Sequence, residues 1–167
     1  MNDCDWILCE RTSRWAAAMR VAIERDGGAA THAVRVFEVR NHRDLEAELA
    51  KLPGALALVE VDRTNVAAVL AWLARAEPRF PQARFVAGLD WSRGADREAG
   101  GHGRALDVAQ ALVEAGAVEV LGSPRECARL FDLAHRHAAA RAAESAAAGD
   151  EFSPRQRAWA SLPWQDA

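Results

Sequence analysis

Ala55-Leu56-Ala57-Leu58-Val59-Glu60 is apolar for five residues and then ends on a carboxylate. A run that short, with no polar alternation, is a strand covered on both faces, as in parallel sheets whose helices lie on either side. The flanks agree. Pro53-Gly54 closes a helical pattern before the run, with Asn41 as its cap, Asp44 three places on, and Leu45, Leu49 and Leu52 along one face. After it, Thr64 or Asn65 is placed to cap a helix with Val66, Val69, Leu70 and Leu73 inward, which Pro78 and Pro81 should close.

The same alternation continues outward. Trp6-Ile7-Leu8-Cys9 reads as a buried central strand, followed by a cap at Thr12 or Ser13. Trp15, Met19, Ala22 and Ile23 then line one helical face up to Gly27-Gly28. Residues 33–39 are β-branched and partly alternating, which suits a strand nearer the edge. Arg84–Leu89 is a fourth strand. A charged, Gly-rich loop from Asp90 to about Arg104 is longer than most βα connections, so it is functional or mobile. Leu106, Ala109, Leu112 and Val113 mark a helix ending at Gly116, and Val118–Leu121 is a fifth strand. Ser123-Pro124-Arg125-Glu126 has the form of a capping box, with Cys127, Leu130, Phe131 and Ala134 inward beyond it. Strands alternating with helices imply right-handed βαβ units. The expected fold is α/β: a doubly wound, five-stranded parallel sheet of order 2-1-3-4-5 flanked by five helices.

Composition narrows the functional classes. The chain has 167 residues, half of them apolar, enough for one domain with an extension and no staples. A net charge of −3, with no basic stripe, argues against nucleic acid as a partner. No run reaches the roughly 20 apolar residues of a membrane span. Residues 1–10 carry Asp3, Asp5 and Glu10, unlike a secretory signal. Cys4, Cys9 and Cys127 form no CxxC pair, so reduced thiols in a cytoplasmic protein are expected. Lys51 is the sole lysine among many arginines and alanines, which reads as bacterial codon bias.

The element order resembles the receiver domain of bacterial response regulators over residues 5–137. The resemblance implies phosphochemistry at the carboxyl edge of the sheet, and the residues that would carry it are replaced. An acidic pair that holds Mg²⁺ should end the first strand, and Glu10 and Arg11 stand there. The phosphoacceptor aspartate should end the third, and Glu60 matches it, or Asp62 if the strand runs two residues longer. A Thr or Ser should end the fourth, where Gly88 stands, and a Lys before Pro the fifth, where Ser123 precedes Pro124. Phosphoryl transfer to a carboxylate needs a metal to spread charge and a cation and hydroxyl to hold the product. Arg11 would repel a metal, and Glu60 adds a methylene. The resemblance therefore implies a degenerate pseudo-receiver: not an enzyme, not phosphorylated, with no cofactor and no metal, acting through protein partners in signalling. Glu60 and Arg11 could pair where a metal would sit, although solvated strand-end charges are the plainer reading. No output domain is recognised. The alternative is a small-molecule or nucleotide site at the carboxyl edge, built from Glu10, Arg11, Asp62, Asp90 and the 90–104 loop.

Other features read as structural. Gly100-Gly101-His102-Gly103 lacks phosphate-loop spacing and is a surface loop. Ser123 is a cap and not a nucleophile, because no GxSxG elbow surrounds it. His135 and His137 point to different helix faces, and His32 and His42 should be exposed. Trp6, Trp15 and Trp72 fall on core positions.

The domain division expected is 1–137 for the receiver-like unit, 138–149 for an Ala-rich continuation of the fifth helix that Gly149 breaks, and 150–167 for a tail. Trp159, Leu162 and Trp164 give the tail apolar anchors, with Arg155 and Arg157 beside them, so it either docks on another chain, a second copy in a homodimer included, or packs on its own domain.

Overall fold

The structure, a computed structural model, describes residues 4–26, 34–90 and 101–160. Five strands and five helices alternate: β1 (Cys4–Cys9), α1 (Arg14–Asp26), β2 (Val34–Val39), α2 (His42–Lys51), β3 (Leu56–Val61), α3 (Val66–Arg79), β4 (Arg84–Leu89), α4 (Gly101–Glu114), β5 (Ala117–Leu121) and α5 (Arg129–Ala160). A 3₁₀ turn, Pro124–Ala128, joins β5 to α5. The sheet order is β2-β1-β3-β4-β5 and every pairing is parallel, as the sequence predicts.

Period-two alternation along the strands divides the core into two layers. Ile7, Cys9, Ala57, Val59, Val61, Phe85 and Ala87 face α2, α3 and α4. Trp6, Leu8, Leu56, Leu58 and Val86 face α1 and α5, where Trp15, Met19, Leu130 and Phe131 cover them. Central β3 is buried at all six positions, whereas edge strand β2 is mostly half-buried. The strand register puts Glu60 of β3, Gly88 of β4 and Leu121 of β5 side by side at the carboxyl edge.

Helix ends depart from the sequence reading where a breaker meets strong packing or propensity. α3 continues through Pro78 to Arg79, because the last turn is held by Phe80 N–H donating to Ala76 O at 2.8 Å and by buried Ala76. α4 begins at Gly101, so Gly101-His102-Gly103 is helix and not loop. Its inward residue is Leu112, while Leu106 and Val113 are exposed. Gly149 does not break α5, which runs on through Pro154 to Ala160. The alanines before Gly149 have the highest helix propensity, which offsets the roughly 1 kcal/mol that a mid-helix Gly costs. Gly116 adopts φ +112°, the left-handed conformation that lets the chain turn from α4 into β5.

α5 is pinned where it passes the amino edge of the sheet. His137 Nε2 lies 3.0 Å from Gly54 O, and Arg141 Nη1 donates to the same oxygen at 3.4 Å. The Arg141 guanidinium packs over Gly54, where a Cβ would require the arginine to shift. Past Arg141, residues 142–146 are all exposed.

Candidate functional site

The carboxyl ends of β1 and β3 converge at the point where the sheet order reverses, the usual ligand position in open α/β folds. Glu10 and Glu60 are there, and neither carboxylate is solvated: they are 1% and 4% exposed. Glu10 is satisfied by the first turn of α1, and Glu60 by the loop that leads into it. Glu10 Oε2 accepts from Trp15 N–H at 2.9 Å, and Oε1 accepts from Ala16 N–H at 2.7 Å. It therefore caps the start of α1, where free N–H groups and the helix dipole both favour an anion. The sequence suggests Thr12 or Ser13 for that task. Instead Ser13 takes φ +55°, an uncommon conformation for a residue with a Cβ, and so folds the helix start back over Glu10. Arg40 holds the loop from the β2 side, donating to Glu10 O at 3.0 Å and to Ser13 Oγ at 2.8 Å.

Glu60 reaches the same loop one strand away. Its Oε2 accepts from Arg11 N–H at 2.7 Å and its Oε1 from Thr12 Oγ at 3.0 Å. The methylene that distinguishes it from aspartate supplies that reach. Both oxygens of Glu60 are thus engaged by protein donors. The Arg11 guanidinium does not pair with Glu60; it forms an ion pair with Asp62. Asp62 is also the working cap of α3. Its Oδ1 accepts from Thr64 N–H at 2.7 Å and Asn65 N–H at 3.0 Å, whereas the Asn65 side chain makes no cap bond. A second ion pair, Arg14 to Asp90 at 2.8 Å, ties the start of α1 to the end of β4.

Gly88 sits beneath Trp15. A Cβ at Gly88 would lie 2.6 and 2.7 Å from two indole carbons, so the space that a side chain at 88 would need is filled by the ring. Ser123 is used within its own turn: Oγ accepts from Arg125 N–H at 3.3 Å. The start of that turn is 3₁₀ and not α-helical, so the expected box is only half realised.

The structure therefore brings Glu10, Arg11, Glu60 and Asp62 together and sets Gly88 beside them through Trp15, while Ser123 serves the β5–α5 turn. Thr12, Arg14, Trp15 and Arg40 were not evident as members of the site. One signal was available, because a glycine inside a buried strand marks a close approach. A cleft of about 220 Å³ opens between Glu10, Arg11, Arg40, Asn41, His42 and Glu60. His42 is half-buried, not exposed, and stacks on Trp72 with ring centroids 5.0 Å apart. Cys9 at the foot of the cleft has its thiol pushed up to about 12, first by burial and then by Glu60, so it stays protonated and inert. Among the described residues no group of three or more His, Cys, Asp or Glu is placed to hold a metal ion. No helix among them is long and apolar enough to cross a membrane. Of the tail, Arg155, Arg157 and Trp159 fall within the backbone of α5, and Leu162 and Trp164 lie outside the described residues.

No family model and no curated protein matches the chain. Solved structures do. A response regulator from Thermotoga maritima superposes with a TM-score of 0.58 at 18% identity, covering 82% of this chain and 98% of its own. A CheY-like protein, TadZ, from Pseudomonas aeruginosa PAO1 superposes with a TM-score of 0.56 at 14% identity, covering 83% and 94%. With the strand order and the register at the carboxyl edge, these likenesses establish that the chain has the CheY-like, flavodoxin-like fold of response-regulator receiver domains.

Proposed function

We propose that the chain is a non-catalytic pseudo-receiver, a bacterial cytoplasmic signalling or regulatory protein that acts through contacts with other proteins and is not phosphorylated. The observation that carries this reading is the double engagement of Glu60 by Arg11 N–H and Thr12 Oγ. A carboxylate with both oxygens hydrogen-bonded and almost no exposure is not free for in-line attack on a phosphorus. Glu10 is committed to α1 in the same way, so neither acid is available to a metal without dismantling the loop. The cleft favours protein contact over a small-molecule site, since about 220 Å³ falls below the roughly 300–1,000 Å³ of ligand pockets. Under this reading residues 1–137 are the signalling domain and 138–149 extend its last helix. Residues 150–167 are then a recognition segment, with Arg155, Arg157, Trp159, Leu162 and Trp164 as its contacts.

The test is incubation of the full chain with acetyl phosphate and Mg²⁺, followed by intact-mass measurement. The expected spectrum is that of the unmodified protein. An acid-labile phosphoryl adduct on Glu60 or Asp62 overturns the reading.

A further inference from the structure

Two turns at the amino edge of the sheet are built alike. Leu52-Pro53-Gly54-Ala55 leads from α2 into β3, and Phe80-Pro81-Gln82-Ala83 leads from α3 into β4. Leu52 (φ −127°, ψ 67°) and Phe80 (φ −125°, ψ 65°) close their helices in the same conformation. Ala55 N–H donates to Leu52 O and Ala83 N–H to Phe80 O, each at 3.0 Å. The turns lie side by side, because β3 and β4 are neighbours and Arg84 N–H donates to Ala55 O at 3.2 Å.

They differ at two equivalent positions. Gly54 stands where the second turn has Gln82, and fully buried Leu56 where it leads to Arg84. Strand alternation puts Arg84 on the same face as Val86, the face that α5 covers. An arginine there interrupts the apolar pattern of that face. α5 in turn brings Arg141 to the first turn, where its guanidinium lies over Gly54. Arg84 Nη1 donates to Pro81 O and Ala83 O, both at 3.0 Å, and Arg141 Nη1 to Gly54 O at 3.4 Å. Neither arginine has a carboxylate partner among the described residues, unlike Arg11, Arg14 and Arg40 at the opposite edge. A guanidinium has five N–H donors, so most of those on Arg84 and Arg141 stay open.

His137 stands beside both, 8% exposed, with Nε2 on Gly54 O. The charged groups that face its ring are Arg84 from β4 and Arg141 and Glu144 from α5, while the turn offers carbonyl oxygen. Two guanidinium groups from separate elements, held by carbonyls on one side and unopposed by carboxylates, match a tetrahedral oxyanion of double charge. A carboxylate would bring one charge to two arginines.

We propose that Arg84 and Arg141 form an oxyanion site at the amino edge of the sheet, for a phosphate-type dianion that is free or ends a phosphate monoester. The site is independent of the pseudo-receiver reading, which concerns the opposite edge. The anion offsets the two arginines that resist protonation of His137, so protonation of the ring and binding of the anion favour each other.

The test is an NMR titration of the full chain with sulfate, which keeps its double charge, at an ionic strength held constant with sodium chloride. The amide signals of Gly54, Ala55 and Arg84 should shift along a saturating curve. Inorganic phosphate should act likewise; if glycerol 3-phosphate does too, the site accepts esters, and if not, it takes the free ion. Arg84→Gln and Arg141→Gln should each weaken sulfate at least about tenfold, the loss for a hydrogen bond to a charged group. Arg141 is exposed, so that variant decides the matter should Arg84→Gln fail to fold. Sulfate should bind the parent more tightly as pH falls below about 6.5, and His137→Gln should remove that gain. A response that does not saturate, no response to inorganic phosphate, an affinity untouched by Arg141→Gln, or one flat with pH in the parent overturns the proposal.

Discussion

The indole of Trp15 rests on Gly88, and an added Cβ would meet ring carbons at 2.6 and 2.7 Å. Both groups are fixed, one in a central strand and the other in a helix whose start Glu10 holds, so neither can yield cheaply. Gly88→Ala should therefore cost about 1–3 kcal/mol in urea unfolding, the range for overpacking. In a Trp15→Leu background the same change should cost much less, since the shorter side chain leaves the space open. A double-mutant cycle checks this. Additive costs would mean that the indole is not why glycine stands at 88. At this scale the sequence showed which residues end the strands, because that needs only local pattern. It did not show what those residues do. The capping of α1 by Glu10 depends on the unusual backbone at Ser13, and the burial of Glu60 depends on a loop 48 residues earlier in the chain. Neither leaves a periodic trace.

Among the elements, strands were more legible than helix ends. A five-residue apolar run bounded by turn residues has one outcome in a doubly wound sheet. Pro78, Gly101, Gly103 and Gly149 instead put a local penalty against the cooperative gain of a whole helix, and the helix wins each time. The link between α5 and the amino edge carries a pH dependence. Burial lowers the pKa of His137 below 6.5; its bond to Gly54 and nearby Glu144 oppose the shift, while Arg84 and Arg141 add to it. His42 is lowered too, again first by burial, with Glu46 opposing and Arg75 adding. The folded state thus binds these protons less readily than the unfolded chain, so their contribution is full above about pH 6.5 and is lost as pH falls through the folded-state values. The urea midpoint should hold between pH 8 and 7 and decline below about 6.5. Replacing both residues, His42→Phe to keep the stack and His137→Gln to keep a donor for Gly54 O, should flatten that decline. An unchanged slope in the double variant would assign it to other groups.

At the scale of the molecule, the packed domain and the far half of α5 are expected to be separable. The last described side-chain bond to the domain is from Arg141 to Gly54 O, and α5 continues to Ala160. Removing residues 150–167 should leave a cooperative unfolding transition within about 0.5 kcal/mol of the parent, the usual bound for changes away from packed features. If the removed segment recognises a second copy, sedimentation should show self-association lost with it. A truncated chain that no longer unfolds cooperatively would place the segment in the core. The order of the sheet has a further consequence, one of timing. β1 is made first and sits in the middle, so it can pair with β2 and β3 as soon as they emerge. The layer formed by Trp6, Leu8, Leu56 and Leu58 is different, because half of its cover is Leu130, Phe131 and Ala134 of α5. At about 5–20 residues per second, translation from the end of β3 to His137 takes on the order of 4–15 s. For that interval the nascent chain on the ribosome carries an apolar sheet face covered only by α1, and that is when chaperones or aggregation would compete with folding.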